Sequence, residues 1–156
     1  MSTVEQRKVI FARHGETEAN REQTLQGRRI DSPLSLEGIL QARRLSGKLQ
    51  SCGIGVVYSS DLMRVTQTAA ILAENLHLKV RVEPGLSERD WGEFTGKKLA
   101  DIVREYENKG DWRRASVSGM ESLEDFWARI LTTYQTIVDA HPNTNILIVS
   151  SGGQYP

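Results

Sequence analysis

An α/β fold with a mostly parallel central sheet, covered on both faces, is what this sequence predicts, and three observations predict it. Short β-rich apolar runs at Val9 to Ala12, Ile54 to Tyr58 and Ile146 to Val149 read as buried strands. Segments with helical spacing stand between them. The alternation implies right-handed βαβ units. A chain of 156 residues, 38% apolar and 26% charged, is long enough for one well-buried core and short for two. No internal repeat, low-complexity stretch or linker divides it, so residues 1–156 read as a single domain.

Each element has its own signal. Val9 to Ala12 is the first strand, followed by a polar loop with Gln26, Gly27, Asp31, Ser32 and Pro33. A helix from Leu36 to Gln50 follows, with Ser35 placed to cap it. After the strand at Ile54 to Tyr58, Asp61 to Leu78 is predicted helical, with Val65, Ala69, Leu72 and Leu76 on one face. Val80 to Val82 is a third strand. The stretch from Glu83 to Gly119 is irregular apart from a helix near Lys98 to Glu107. Ser122-Leu123-Glu124-Asp125 has the pattern of a capping box and opens a core helix. Its apolar face is Leu123, Phe126, Trp127, Ile130, Leu131, Tyr134, Ile137 and Val138. Pro142-Asn143 breaks it before the strand at Ile146 to Val149.

In a parallel sheet, ligands gather beyond the carboxyl ends of the strands. Arg13-His14, Ser59-Ser60 and Ser150-Ser151 all stand there. The first pair is the most informative. An imidazole can attack phosphorus while a neighbouring guanidinium holds the phosphate oxygens in a fork, and Gly15 would let the backbone turn sharply against a ligand.

Arg13-His14-Gly15-Glu16-Thr17 with Asn20 and Gln26-Gly27 resembles the first signature of the histidine phosphatase superfamily, which includes the cofactor-dependent phosphoglycerate mutases. Tyr58 to Ala69, through Ser59-Ser60-Asp61-Leu62-Met63-Arg64, is similar to its second signature. Leu86-Ser87-Glu88-Arg89-Asp90-Trp91-Gly92 is similar to the segment that carries its proton donor, and Gly119-Met120-Glu121-Ser122 to a structural landmark at a helix start.

The resemblance implies a three-layer α/β/α sandwich, phosphoglycerate mutase-like, and a phosphomonoester hydrolase working through a phosphohistidine. It implies His14 as nucleophile, Arg13 and Arg64 as the phosphate clamp and Glu88 as the acid, with no cofactor and no metal. Asn20, Gln26 and Gly27 would offer donors to the phosphate. Trp112-Arg113-Arg114 and Lys97-Lys98 read either as contacts to the rest of an anionic substrate or as solvated basic surface. His77, His141 and Cys52 read as structural.

Two departures from the family pattern set further expectations. Where the family carries a second catalytic histidine, this sequence has Ser151, within Val149-Ser150-Ser151-Gly152-Gly153. A serine supplies one ordinary hydrogen bond and no imidazolium charge, so a weakened hydrolase is expected, with a catalytically inactive member that binds a phosphorylated metabolite or a protein partner, or a phosphoglycerate mutase, as alternatives. The family also continues into another helix and strand. Without them the last strand is expected to be an exposed edge, covered by a second copy of the chain or by a partner.

Twenty basic and 20 acidic residues leave no net field for nucleic acid. No apolar run approaches a signal peptide or membrane span, so neither a membrane nor a nucleic-acid partner is expected. A small phosphorylated substrate and a cytoplasmic location are.

Overall fold

Four apolar segments pair into one parallel sheet in the computed structural model, which describes residues 6–152. The strands are β1 (Val9–Arg13), β2 (Ile54–Ser59), β3 (Val80–Val82) and β4 (Asn145–Ser150), in the order β1-β4-β2-β3. The helices are α1 (Glu18–Arg21), α2 (Leu36–Leu49), α3 (Met63–Leu76), α4 (Leu99–Tyr106) and α5 (Leu123–Asp139). All the expected strands and long helices are present, with ends displaced by one or two residues.

β4 explains why two layers of helix are needed. Successive side chains of a strand face opposite ways, and Ile146, Leu147, Ile148 and Val149 are all fully buried. Leu147 and Val149 join Val57, Val65, Ala69 and Leu72 beneath α2 and α3. Ile146 and Ile148 join Val56, Tyr58, Ile137 and Val138 beneath α5. The sandwich is therefore three-layered. Burying each such aliphatic side chain contributes about 1.5–3 kcal/mol.

The expectation that the last strand is an exposed edge is overturned. β4 lies between β1 and β2, and the strands at the ends of the sheet are β1 and β3. A fully buried hydrophobic strand belongs in the middle, where both backbone edges find partners. Gly153, the last residue of the terminal motif, lies outside the described residues.

Local chemistry sets the helix boundaries. Ser35 Oγ accepts from Gly38 N–H at 3.1 Å, and Ser122 Oγ accepts from Asp125 N–H at 2.9 Å. The Ser122 hydroxyl in turn donates to the Asp125 carboxylate, at 2.7 Å. α3 ends at His77, which adopts φ 54° as a left-handed cap. Along α5, Phe126, Ile130, Ile137 and Val138 are buried as expected, whereas Leu131 is 59% exposed. It lies at the margin of a stripe narrower than the sequence suggests.

Between β3 and α5 the chain builds a small core of its own, in which Trp91, Phe94, Ile102 and Trp112 pack together. Two arginines, the buried Arg89 and the half-buried Arg129, fasten it. Arg129 holds Glu121 in a paired ion bridge and donates to the carbonyls of Gly85 and Ser87, each at 2.9 Å. Arg89 donates to the carbonyls of Glu121 at 2.9 Å and Arg113 at 2.6 Å, and lies over the Trp91 ring.

The glycine after His14 serves a different purpose from a sharp turn. Gly15 is outside the left-handed region, and its lack of a side chain lets the α2 backbone come close: a Cβ there would collide with the carbonyl of Gly38, and one on Gly38 with that of Glu16. Gly38→Ala is expected to destabilise the protein by about 1–3 kcal/mol by overpacking this contact. A urea midpoint equal to that of the parent protein would refute the constraint.

Candidate active site

The site is assembled where β1 and β4 end together. Arg13 pairs with Ser150 across the two strands, and His14 N–H donates to the Ser150 carbonyl at 3.0 Å. The loop beyond is fixed from the helices. Gly15 N–H donates to Thr68 Oγ1 at 3.0 Å, Glu16 N–H to Gln41 Oε1 at 2.9 Å, and the Ser35 hydroxyl to the Glu16 carboxylate at 2.9 Å. Thr68 in turn donates to the Arg64 carbonyl, so one threonine ties this loop to the turn that presents Arg64.

His14 is 8% exposed, with Nδ1 2.7 Å from the Gly15 carbonyl oxygen. A carbonyl can only accept, so Nδ1 carries the proton and Nε2 keeps its lone pair. Burial, against the opposing effect of the Gly15 bond and aided by Arg64 and Arg13, lowers the imidazole pKa to about 4. The ring is neutral at physiological pH.

His14 faces a cavity of about 370 Å³ also lined by Arg13, Arg64, Glu88, Asn20, Gln26, Gly27 and Arg113. Eight of the residues singled out in the sequence therefore meet in one place, from four separate parts of the chain. Arg13 is exposed and lies along Gly152, whose Cα hydrogen leaves room for the guanidinium. Among the described residues it has no hydrogen-bond partner, which leaves its fork open to an anion.

Arg64, 1% exposed, is far from a solvated helix charge. It donates to the Gly27 carbonyl at 2.8 Å and the Ile30 carbonyl at 3.1 Å, and stands 3.5 Å from Asp31. Asp31 also accepts from Met63 N–H at 2.7 Å, supplying the negative charge that the start of α3 favours. Arg64 thus anchors the cavity wall. Its Nε is buried and has no partner among the described residues. Burial lowers its pKa, with Glu88 and Asp31 opposing.

Glu88 is also buried, 8% exposed, with one carboxylate oxygen accepting from Arg89 N–H at 2.9 Å. Its neighbours are the pinned ones: Arg129 holds the Ser87 carbonyl, and Arg89 is bonded to Glu121 and Arg113. These two arginines set the position of Glu88, a role that sequence reasoning missed. Their carbonyl partners lie 24 to 44 residues away, beyond any local pattern.

Asn20 lines the cavity, its carbonyl oxygen accepting from Thr17 N–H and hydroxyl in a capping box for α1, while its amide nitrogen has no partner among the described residues. Gln26 donates one amide N–H to Thr17 Oγ1 at 2.9 Å, and its Oε1 is buried with no partner among the described residues. Other expectations need correction. Arg113 reaches the cavity, whereas Arg114 lines a different one, of about 260 Å³, beside Glu121 and Ser122. Consecutive residues of a 3₁₀ turn point about 120° apart, so they do not share a target. Lys98 is bonded to the Glu22 carbonyl at 2.8 Å. Ser151 is fully buried, its hydroxyl unpartnered among the described residues, and the adjacent Gly152 rather than Ser151 lines the cavity. His141 bonds the Tyr58 hydroxyl at 3.0 Å, away from the site.

Among the described residues no three His, Cys, Asp or Glu side chains converge as a metal site, and no helix is long and apolar enough to cross a membrane.

Comparison with known proteins places this geometry in context. The profile of the histidine phosphatase superfamily (branch 1) matches residues 9–155. The chain is 32% identical over 144 residues to "Uncharacterized phosphatase PhoE" of Bacillus subtilis (strain 168), covering 92% of this chain and 71% of that protein. It is 33% identical over 152 residues to "Probable phosphoglycerate mutase GpmB" of Cronobacter sakazakii, with 92% and 69% covered. Among solved structures, mycobacterial glucosyl-3-phosphoglycerate phosphatase in complex with VO3 superposes with a TM-score of 0.84 at 30% identity, covering 94% of this chain and 77% of that one. The α-ribazole phosphatase of Shigella flexneri does so with a TM-score of 0.80 at 29% identity, covering 93% and 74%.

Proposed function

Because the chain belongs to the histidine phosphatase superfamily, we propose that it hydrolyses phosphomonoesters through a phosphohistidine on His14, at a rate reduced by Ser151. The observation that carries this reading is the neutral imidazole with its Nε2 lone pair bare, in the same cavity as Arg13, Arg64 and Glu88. Nε2 attacks phosphorus and a P–N bond forms as the P–O bond to the alcohol breaks. Arg13 and Arg64 offset the charge spread over the phosphoryl oxygens. Glu88 gives its proton to the leaving oxygen, then takes one from the water that attacks the phosphohistidine. Inorganic phosphate leaves and His14 is restored.

A serine at 151 lacks the cationic donor that an imidazolium would add, and one preorganised donor is worth about a hundred- to a thousandfold in rate. The test is to expose the protein and its Ser151→His variant to millimolar phosphomonoester. Acid-labile, base-stable phosphate on His14 is expected in both, with faster turnover in the variant. No protein-bound phosphate in either would sink covalent catalysis.

Ser151 also favours a second reading, a chain that binds phosphate without turning it over. Phosphate binding by both proteins with turnover by neither would establish it. A mutase has weaker support, because Arg113 enters the cavity without Arg114. Failure to interconvert phosphoglycerates with a bisphosphorylated primer would dispose of it. If a second copy or a partner completes the sheet, β1 and β3 are the edges on which it would pair.

A further inference from the structure

The cavity around His14 opens into a second one, of about 490 Å³, and the two share Arg13, Asn20, Thr24, Leu25 and Leu99 as a common wall. Away from His14 the second cavity changes character. Leu25, Leu99, Ala100 and Val103 supply most of its surface beside the polar Asn20, Gln23 and Thr24, and Arg13 is the one charged residue lining it among the described residues. Leu99 and Val103 are 39% and 49% exposed, an unusual state for aliphatic side chains beside a polar site. They are one helical turn apart on α4, whose buried residue Ile102 faces the core of Trp91, Phe94 and Trp112. The exposed pair therefore presents a face that α4 does not use for its own packing.

The walls are fixed in advance. Leu25 N–H donates to the Lys97 carbonyl at 3.0 Å, Gly96 N–H to Leu25 at 2.8 Å, and Leu99 N–H to Gln23 at 2.9 Å. Thr24 and Lys98 form a β-bridge between them. This stitching holds the segment before α4 against the loop after α1, so a groove between them needs no ordering when a ligand enters.

We propose that this groove receives the organic part of the substrate, and that the chain selects phosphomonoesters of alkyl or aryl alcohols over those of polyhydroxylated ones. The proposal rests on the phosphate-binding reading of the His14 cavity. Charge distribution supports it: an anionic head would meet the arginines at one end, while an apolar tail would lie along Leu25, Leu99 and Val103. Along the α4 side, a sugar would leave hydroxyls facing Leu99, Ala100 and Val103, which cannot pair with them.

Titration calorimetry with n-alkyl phosphonates, methyl through hexyl, separates the two ideas, because it needs no turnover. Affinity is expected to rise about two- to fourfold per added methylene until the groove is filled. Val103→Thr and Val103→Asn should flatten that rise while leaving methylphosphonate affinity unchanged, two variants being used so that misfolding of one is recognised. Methylphosphonate binding with no dependence on chain length, or an undiminished rise in both folded variants, would overturn the groove and leave the phosphate site standing. If no phosphonate binds, the phosphate site fails and the groove with it.

Discussion

His14→Ala is expected to lower kcat/KM toward an aryl phosphate by about a thousandfold or more, because the proposed covalent route loses the imidazole that accepts the phosphoryl group. The cationic wall of Arg13 and Arg64 remains in that variant, so phosphate should still bind. A His14→Ala protein that turned over at the parental rate would rule out the phosphohistidine route.

His14 should also leave a mark on stability. Its pKa is about 4 in the folded chain against an ordinary 6.5. The unfolded chain thus binds more protons between those values, and stability is lost as pH falls from 6.5 to 4. Above pH 6.5 both states are neutral there and the contribution is complete. Below pH 4 both are protonated and it is gone. The shift corresponds to about 3 kcal/mol across the window. Urea unfolding at pH 7 and pH 4.5 should show a larger drop in the parent than in His14→Gln, and equal drops would contradict a buried neutral imidazole.

The second large effect is expected at Arg64. Arg64→Met removes a fully buried cation whose partners are the carbonyls of Gly27 and Ile30 and the carboxylate of Asp31. Leaving the buried Gly27 carbonyl without its donor typically costs about 1–3 kcal/mol, whereas the exposed Asp31 can turn to water. Loss of a phosphate donor adds about a hundred- to a thousandfold in rate. The two readouts are separable. A normal urea midpoint would show that Arg64 does not anchor the loop, and an unchanged kcat/KM would show that it does not serve the phosphate.

Features that depend on a few neighbouring residues were legible in the sequence. Ser35 and Ser122 announce their helices through their own hydroxyls, and the apolar runs of β2 and β4 announce burial; the run of β1 misleads, since only Ala12 is buried and Phe11 is 47% exposed on what is an edge strand. Arg13, His14, Arg64 and Glu88 were recognisable from short motifs, and the parallel topology makes their convergence natural. What escaped was whatever depends on distant partners. Nothing near Arg89 or Arg129 in sequence says that their partners are carbonyls in loops far along the chain. Thr17 engages the Asn20 carbonyl oxygen and one Gln26 amide N–H, contacts decided by how the loop folds back and by no local pattern. The place of β4 was misjudged for a related reason: sequence order says where a strand comes in the chain and nothing about its neighbours in the sheet.

That place has a kinetic consequence. Among the described strands, β1 is joined to the sheet through β4 alone, and β4 is the last to be synthesised. β2, α3 and β3 are close in sequence and can associate early, while the β1 and β4 pairing closes a loop of well over a hundred residues and is correspondingly slow. His14, the proposed nucleophile, directly follows β1. A chain still emerging from the ribosome, or a refolding intermediate with β2 and β3 already paired, would carry every catalytic side chain and yet be silent. Activity should therefore return later in refolding than helical circular dichroism does.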